Sequence, residues 1–382
     1  MIYLDNAATT YTFDEVLREM DDVNQNSYAN PSSMHAAGYL AEKKIQAAAA
    51  SALSSIGAKD GTFLFTSGGT ESNNLAFFGT LQSAIKRKPH IITTKIEHPS
   101  VLEPVRFLEE LGASVTYVGV DEHGFVNPAD IANAVQENTM LVSCMYVNNE
   151  TGAIQPIGDI VKQVKTLKKD VLVHTDCVQA MGAVDIQAEA LGVDMLSLSA
   201  HKIHGPKGVG GFYCRKNIHL KPVILGGHQQ NNLRSGTLNT PGICGFALAM
   251  ELTKQRAEEK RTHLIKLKNK LMDNLEGSAR ISVNNAGDGY APHIISLRVK
   301  DVRAEVLLHA LESHGICISA GSACSSSRPA PSHVLTAMGY DRKHIEETVR
   351  ISTGMQNTEQ EIDEFSKILI KEAETLAKFT RI

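Results

Sequence analysis

Short apolar runs and amphipathic stretches alternate through the first half of the chain. Thr62–Thr66 (TFLFT), His90–Lys95, Ser114–Val120, Thr139–Val147, Val171–Thr175 and Met195–Ser199 are too short and too apolar for surface helices and read as strands. Between them lie helical patterns. His35–Ile56 is rich in Ala, Glu and Lys and stops at Gly57, a common helix end. Glu71–Ile85, Pro99–Leu111, Asn127–Val135 and Ile157–Leu167 follow the same logic. Apolar strands separated by helices predict a mostly parallel sheet covered on both faces, with ligands at the strands' carboxyl ends. Residues 1–10 read as an extended arm, and Asn30-Pro31 breaks the chain before the first of these helices.

After Leu220 the pattern changes. A polar loop, Gly226–Thr240, leads into one long helix from Pro241 to about Leu275. Strands at Arg280–Val283, Ile294–Val299, Gly315–Ser319 and Thr348–Ser352 then surround a helix at Ala304–Ser313. The last helix opens with a capping box, Thr358-x-x-Glu361. The prediction is an α/β chain with a large sheet domain over 16–250 and a smaller α+β domain over 251–382. Residues 1–15 form an arm that packs with the smaller domain. At 382 residues the chain exceeds what one core usually supports.

Composition narrows the function classes. Hydrophobic residues make up 42% and charged residues 21%, as in an ordinary globular protein. A net charge of −4, with Lys86-Arg87-Lys88 the longest basic run, argues against direct DNA binding. No apolar run approaches the roughly 20 residues of a membrane span, and the start MIYLDNAATT lacks signal-peptide character. The expected compartment is the cytoplasm. The six cysteines (144, 177, 214, 244, 317, 324) form no CxxC pair, so no disulfide framework or zinc site is indicated. Five sit among apolar residues as small core fillers, whereas Cys324 lies among Ser, Gly, Ala and Pro, where little packing would restrain it.

The chemistry gathers at strand ends: Thr70, His98, Asn149, Asp176 to Gln179, and Ser199-His201-Lys202. A lysine at the mouth of a buried strand suits covalent chemistry, because desolvation and nearby cations leave a nucleophilic amine. Ser199 and His201 beside it suit a phosphate, which suggests pyridoxal phosphate joined to Lys202. A lysine and two histidines in a Gly-rich turn explain that stretch equally well. Ser67-Gly68-Gly69-Thr70 before a helix makes an anion site, though a Gly-Gly turn is more often only a turn. Asp176 can keep a pyridine nitrogen protonated or simply cap a helix. Gln179 or Asn149 could meet the phenolic oxygen. His98 could stack on the ring and handle protons, or be an ordinary loop histidine.

YLDNAATT, NPSSMH, FTSGGTESNN, Glu97-His98, NNETG, HTDCVQ, SLSAHKIHGPKG, RSGT and SAGSACSSS occur in this order over nearly the whole chain. In this it resembles the NifS/IscS-type cysteine desulfurases, class V aminotransferases of the fold-type I pyridoxal-phosphate group. The resemblance implies that Lys202 bears the cofactor's Schiff base and that Gly69, Thr70, Ser199 and His201 bind its phosphate. Thr237 would reach the other subunit's site in a homodimer. Asp176 would face the pyridine nitrogen, Gln179 and Asn149 the phenolic oxygen, and His98 the ring. Arg350, with Asn149, would clamp the carboxylate of L-cysteine, with a structural salt bridge as its rival role. Cys324 would take the substrate's sulfur as a persulfide, leaving alanine, and pass it to a protein acceptor for iron–sulfur assembly or tRNA thiolation.

Departures from the family pattern are local. The usual GGGxExxxRSGT reads GGHQQNNLRSGT, placing His228, Gln230 and Asn231 where Gly, Glu and Arg are expected, and Ala330 replaces a common Glu. The sequence stops at Ile382, soon after its last helix, without the tail that some relatives use to hold an iron–sulfur scaffold, so the expectation leans toward another acceptor. Alternative readings are a selenocysteine lyase, a class V transaminase, or an inactive cofactor-binding accessory subunit.

Overall fold

The computed structural model describes residues 1–320 and 331–379. Its strands are β1 (Ile2–Tyr3), β2 (Thr62–Thr66), β3 (His90–Thr94), β4 (Ser114–Val118), β5 (Thr139–Ser143), β6 (Leu172–Asp176), β7 (Met195–Ser199), β8 (Gly210–Cys214), β9 (Ile281–Val283), β10 (Ile294–Val299), β11 (Ile316–Cys317) and β12 (Thr348–Ser352). The helices are α1 (Asp14–Asn26), α2 (Ala36–Ser55), α3 (Gly69–Leu81), α4 (Pro99–Glu110), α5 (Pro128–Asn133), α6 (Ile157–Leu167), α7 (Ala188–Leu191), α8 (Thr240–Gln255), α9 (Ala257–Leu275), α10 (Ala304–Ser313), α11 (His333–Ala337), α12 (Arg342–Glu346) and α13 (Glu359–Leu376).

Seven strands form the main sheet in the order β2-β8-β7-β6-β5-β3-β4, parallel except where β8 pairs antiparallel with β2 and β7. Strand β8 is absent from the sequence expectation because its glycines look like a continued turn. Gly211 instead lies against the Phe63 ring so closely that an added Cβ would sit 2.3 Å from it. The expected strand over 139–147 ends at Ser143, where the chain turns toward the carboxyl end of β6 and the Tyr146 N–H donates to the Asp176 carbonyl (2.9 Å). Helix α1, also not anticipated, buries Val16 and Val23 and packs with α2 against α8.

A second core joins Ile2 and Leu4 to apolar residues between 267 and 377. Here β12-β10-β9 form an antiparallel sheet, and β1 pairs in parallel with β11. The expected single helix from 241 to 275 is broken at Arg256, which bonds Glu15 (2.8 Å) and lies over the Phe13 ring. The break has a packing cause. Helix α8 buries its side chains against α1 and α2, whereas α9 packs on α13, so one straight helix would not serve both cores. Residue 250, where the sequence divides the domains, therefore falls inside α8. Among the described residues no helix is long and apolar enough to cross a membrane.

His174 shows how fully the sheet is buried. Its ring is wholly inaccessible, with Nδ1 and Nε2 each 2.9 Å from a serine hydroxyl, Ser143 and Ser197, and burial pulls its pKa down to about 3. An unfolded histidine titrates near 6.5, so this group's stabilisation is complete above that pH and is lost as pH falls toward 3. Urea midpoints measured between pH 6.5 and 4 should fall, and His174→Gln should flatten the slope by about 1.4 kcal/mol per pH unit. An unchanged slope would contradict the assignment.

Candidate active site

Strands β2, β3, β6 and β7 deliver polar side chains to one edge of the sheet, and residues 5–10 cross that edge as a strap. The Lys202 Nζ, in the turn after β7, donates to the carbonyls of Ala7 (2.6 Å) and Ala8 (2.7 Å). Gln179 also donates to the Ala7 carbonyl (2.8 Å), and the Thr10 N–H and hydroxyl both donate to the His201 carbonyl (2.9 Å each). The strap's far end belongs to the second core. Asn6 and Ala7 bond Ser352, and Asp5 accepts from Arg350 (2.9 Å).

Between strap and strand ends lies a cavity of about 520 Å³. Lys202, His98, Asn149, Asp176 and Gln179 line it, as do Gly69, Thr70, Ser199, His201 and Arg350. Ten of the residues singled out by sequence are thus brought together. Thr237 is exposed and is not among the lining residues. Cys324 and Ala330 lie outside the described residues.

Asp176 ends β6 with both carboxylate oxygens held, Oδ1 by the Val178 N–H and Oδ2 by the Asn73 amide (2.9 and 2.8 Å). Its N-cap rival role does not apply, since no helix begins there. The same Asn73 amide donates to Ser100 Oγ (2.8 Å), which lies 2.7 Å from His98 Nδ1. The Ser100 N–H also donates to Nδ1 (3.1 Å), so the neutral ring carries its proton on Nε2. Burial is the main cause that holds the His98 pKa below its usual value, with the Lys202 and His333 charges adding to it and Asp176 opposing. His201 is pulled down to about 4, first by burial and then by Lys202 and Lys207. Near neutral pH both rings are uncharged donors.

Gly69 opens α3, where a Cβ would meet Val178 Cγ2 at 2.7 Å; its missing side chain lets the helix N-terminus approach the 176–179 turn. Arg350 is buried and donates to the Asn149 carbonyl (2.8 Å) and to Asp5, leaving further guanidinium protons for an anion. It makes the structural salt bridge and also forms part of the cavity wall.

Several cavity groups escaped the sequence reading. Ser332 donates to Glu150 (2.5 Å) and His333 Nε2 lies 2.8 Å from the Glu97 carbonyl, and all three of Glu150, Ser332 and His333 line the cavity. Behind His98, the Glu97 side chain is fully buried, accepts from Thr94 and the Met145 N–H, and is pushed up to about 8 by burial. Asp5 and Asn6 could have been noticed as the polar pair that interrupts the apolar start of the arm. The carbonyls of Ala7 and Ala8 could not, because backbone groups carry no sequence signal.

The donor set fits pyridoxal phosphate. A carboxylate for the ring nitrogen, an amine for the aldehyde, and a helix N-terminus with Ser199 and His201 for the phosphate surround one space of suitable size.

The aminotransferase class-V family pattern matches residues 2–365. The chain is 40% identical over 365 residues to cysteine desulfurase IscS of Dictyoglomus turgidum, covering 95% of this chain and 92% of that one. It superposes on a solved NifS-like protein with a TM-score of 0.93 at 39% identity, covering 98% of this chain and all of that one. Against the structure described as SspA in complex with cysteine the TM-score is 0.83 at 33% identity, over 94% of this chain and all of that one.

Four thiols are excluded from chemistry by burial. Cys144, Cys177, Cys214 and Cys244 are buried, and desolvation raises the pKa of each, to about 12 for Cys214 and about 11 for Cys244. Cys317, expected as a core filler, is only partly buried. A thiol-specific disulfide reagent at neutral pH should therefore modify at most two of the six cysteines before unfolding. Rapid reaction of three or more would contradict this picture.

Proposed function

The chain belongs to the aminotransferase class-V family, and on that premise we propose that it is a pyridoxal-phosphate-dependent cysteine desulfurase, releasing alanine from L-cysteine and passing on the sulfur. The observation that carries this reading is the cavity of about 520 Å³ beside Lys202, lined by an amine, a carboxylate, an anion-binding turn and a buried guanidinium. When bound, the cofactor supplies an electron sink that stabilises negative charge on a substrate carbon.

The protein's own groups supply the rest. Asp176 keeps the ring nitrogen protonated. Gly69, Thr70, Ser199 and His201 hold the phosphate, and Gln179 and Asn149 approach the phenolic oxygen. Arg350, oriented by Asp5, binds the substrate carboxylate with Asn149, and Lys202 Nζ removes the proton from the substrate Cα. The Cys324 thiolate attacks the substrate's sulfur. The carbon–sulfur bond breaks, its electron pair stays on the substrate's Cβ and is protonated there, Cα regains the proton that Lys202 took, and Cys324 is left as a persulfide. His98, neutral and protonated on Nε2, is placed to donate a proton.

Cys324 suits the nucleophile's role because four other thiols are buried and Cys317, though partly exposed, is not among the cavity's lining residues. Ser319 exchanges two backbone hydrogen bonds with Arg350 (3.1 and 2.7 Å), while Ser332 and His333 line the cavity wall. The chain thus enters and leaves the stretch bearing Cys324 beside the cavity, and five residues on from Ser319 span at most about 18 Å.

The proposal includes a homodimer in which Thr237 serves the other subunit's phosphate site, and a cytoplasmic location. Large apolar side chains stand exposed at Tyr28, Met34, Tyr39 and Leu40, and Leu225 beside the loop before Thr237 is 79% exposed, which suits burial against a second copy.

Cys324→Ala should lower alanine release from L-cysteine by on the order of 100-fold or more while keeping the cofactor's visible absorption, and Lys202→Ala should abolish both turnover and the covalent imine. Wild-type turnover in Cys324→Ala would refute the scheme. Arg350→Lys should raise KM for L-cysteine by about tenfold, through loss of the two-pronged carboxylate contact, as read from initial rates. Faster turnover of selenocysteine than cysteine, or transfer to a keto acid, would favour the lyase or transaminase instead.

A further inference from the structure

The loop between β8 and α8 departs from the family pattern where it touches the sheet. β2 is an edge strand of the main sheet, so the outward backbone groups of Phe65 have no strand partner on that side. The Gln230 side chain takes that place. Its Oε1 accepts from the Phe65 N–H and its Nε2 donates to the Phe65 carbonyl, each at 2.7 Å. A primary amide carries both a donor and an acceptor and so can imitate a neighbouring strand. The glutamate usual at this position can accept but, when ionised, cannot donate.

Four residues further along the loop, Arg234 grips Glu71 with two hydrogen bonds (2.8 and 3.2 Å). Glu71 in turn accepts from the Ser67 N–H (2.7 Å). The 67–70 turn, which opens α3 and lines the cavity with Gly69 and Thr70, is therefore held on both flanks by one loop: at Phe65 before it and at Glu71 after it. The loop is tied within itself by Gln229, whose Oε1 accepts from the Gly236 N–H (2.8 Å). His228, Gln230, Asn231 and Asn232 all adopt positive φ, a conformation that non-glycine residues take at an energetic cost and that these contacts hold in place.

We propose that Gln230 is a positioning residue for phosphate recognition, its amide clamp on Phe65 fixing the turn whose N–H groups receive the cofactor's phosphate. This rests on the reading of that turn as the phosphate site. The substitution of Gln for the usual Glu is then an adaptation that lets the loop hold the turn from within the same subunit.

Apoprotein is titrated with pyridoxal phosphate and, separately, with pyridoxal, which lacks the phosphate, and the ratio of the two dissociation constants is read. Wild type should prefer the phosphorylated form strongly; no preference would overturn the phosphate-site reading itself. In Gln230→Ala and Gln230→Glu the ratio should shrink by about tenfold through weaker binding of pyridoxal phosphate, with pyridoxal affinity unchanged. Relative to wild type at each pH, Gln230→Glu should recover as pH is lowered from 8 toward about 5, because a protonated carboxyl regains a donor for the Phe65 carbonyl. Asn232→Gly, which keeps the left-handed backbone, should retain the wild-type ratio. An unchanged ratio in both Gln230 variants, or equal loss of affinity for both ligands, would overturn the proposal.

Discussion

Residues 5–10 have to cross the carboxyl edge of a parallel sheet, and their backbone carbonyls must find donors there. They find them in the functional side chains: Lys202 and Gln179 at Ala7 and Ala8. The same strap ties to the second core through Asn6, Ala7 and Asp5. One short segment therefore closes the cavity, holds its amine at a fixed place, and binds the two cores together. The strap's remaining contacts, Thr10 to the His201 carbonyl among them, leave it little freedom to move without moving the site.

Charge is handled by the same economy of placement. His98 and His201 are kept neutral by burial, so near physiological pH the cavity's fixed charges reduce to a few groups. Asp176 retains two hydrogen-bond donors and Arg350 has Asp5. The Ser100 N–H, donating to Nδ1, settles which nitrogen of His98 holds a proton, and the run Asp176–Asn73–Ser100 holds that residue in place. Asn73 has a single amide NH₂ and spends its two protons on Ser100 and Asp176. Glu97 behind it adds a carboxyl forced toward its neutral form, which avoids a second negative charge next to the site.

The segment 331–338 packs against the strand ends of the main sheet. Val334, Leu335 and Met338 share a small apolar cluster with Ile96 and Met145, each just beyond a strand of the main sheet. Ser332 caps α11 while donating to Glu150, so the helix start and the cavity wall are the same contact.

Most of the main sheet, and ten of the residues lining its cavity, are legible in the sequence. Alternating apolar strands and helices admit few arrangements, and parallel strands send their polar ends to one edge. Lys202, His98 and Asp176 could be located this way because each ends or closely follows an apolar run. Strand β8 could not, since glycines that pack under Phe63 look identical to glycines that turn. The break at Arg256 was hidden because helical periodicity says nothing about a change of packing partner. Asp5, the Ala7 and Ala8 carbonyls and the Gln230 clamp are contacts between residues far apart in the chain, and two of them use backbone atoms every residue possesses. The sequence by itself determined which side chains could do chemistry and on which edge they gather. The tertiary structure alone decided what holds each one still, because hydrogen-bond partners are set by distance in space, and a linear pattern records none.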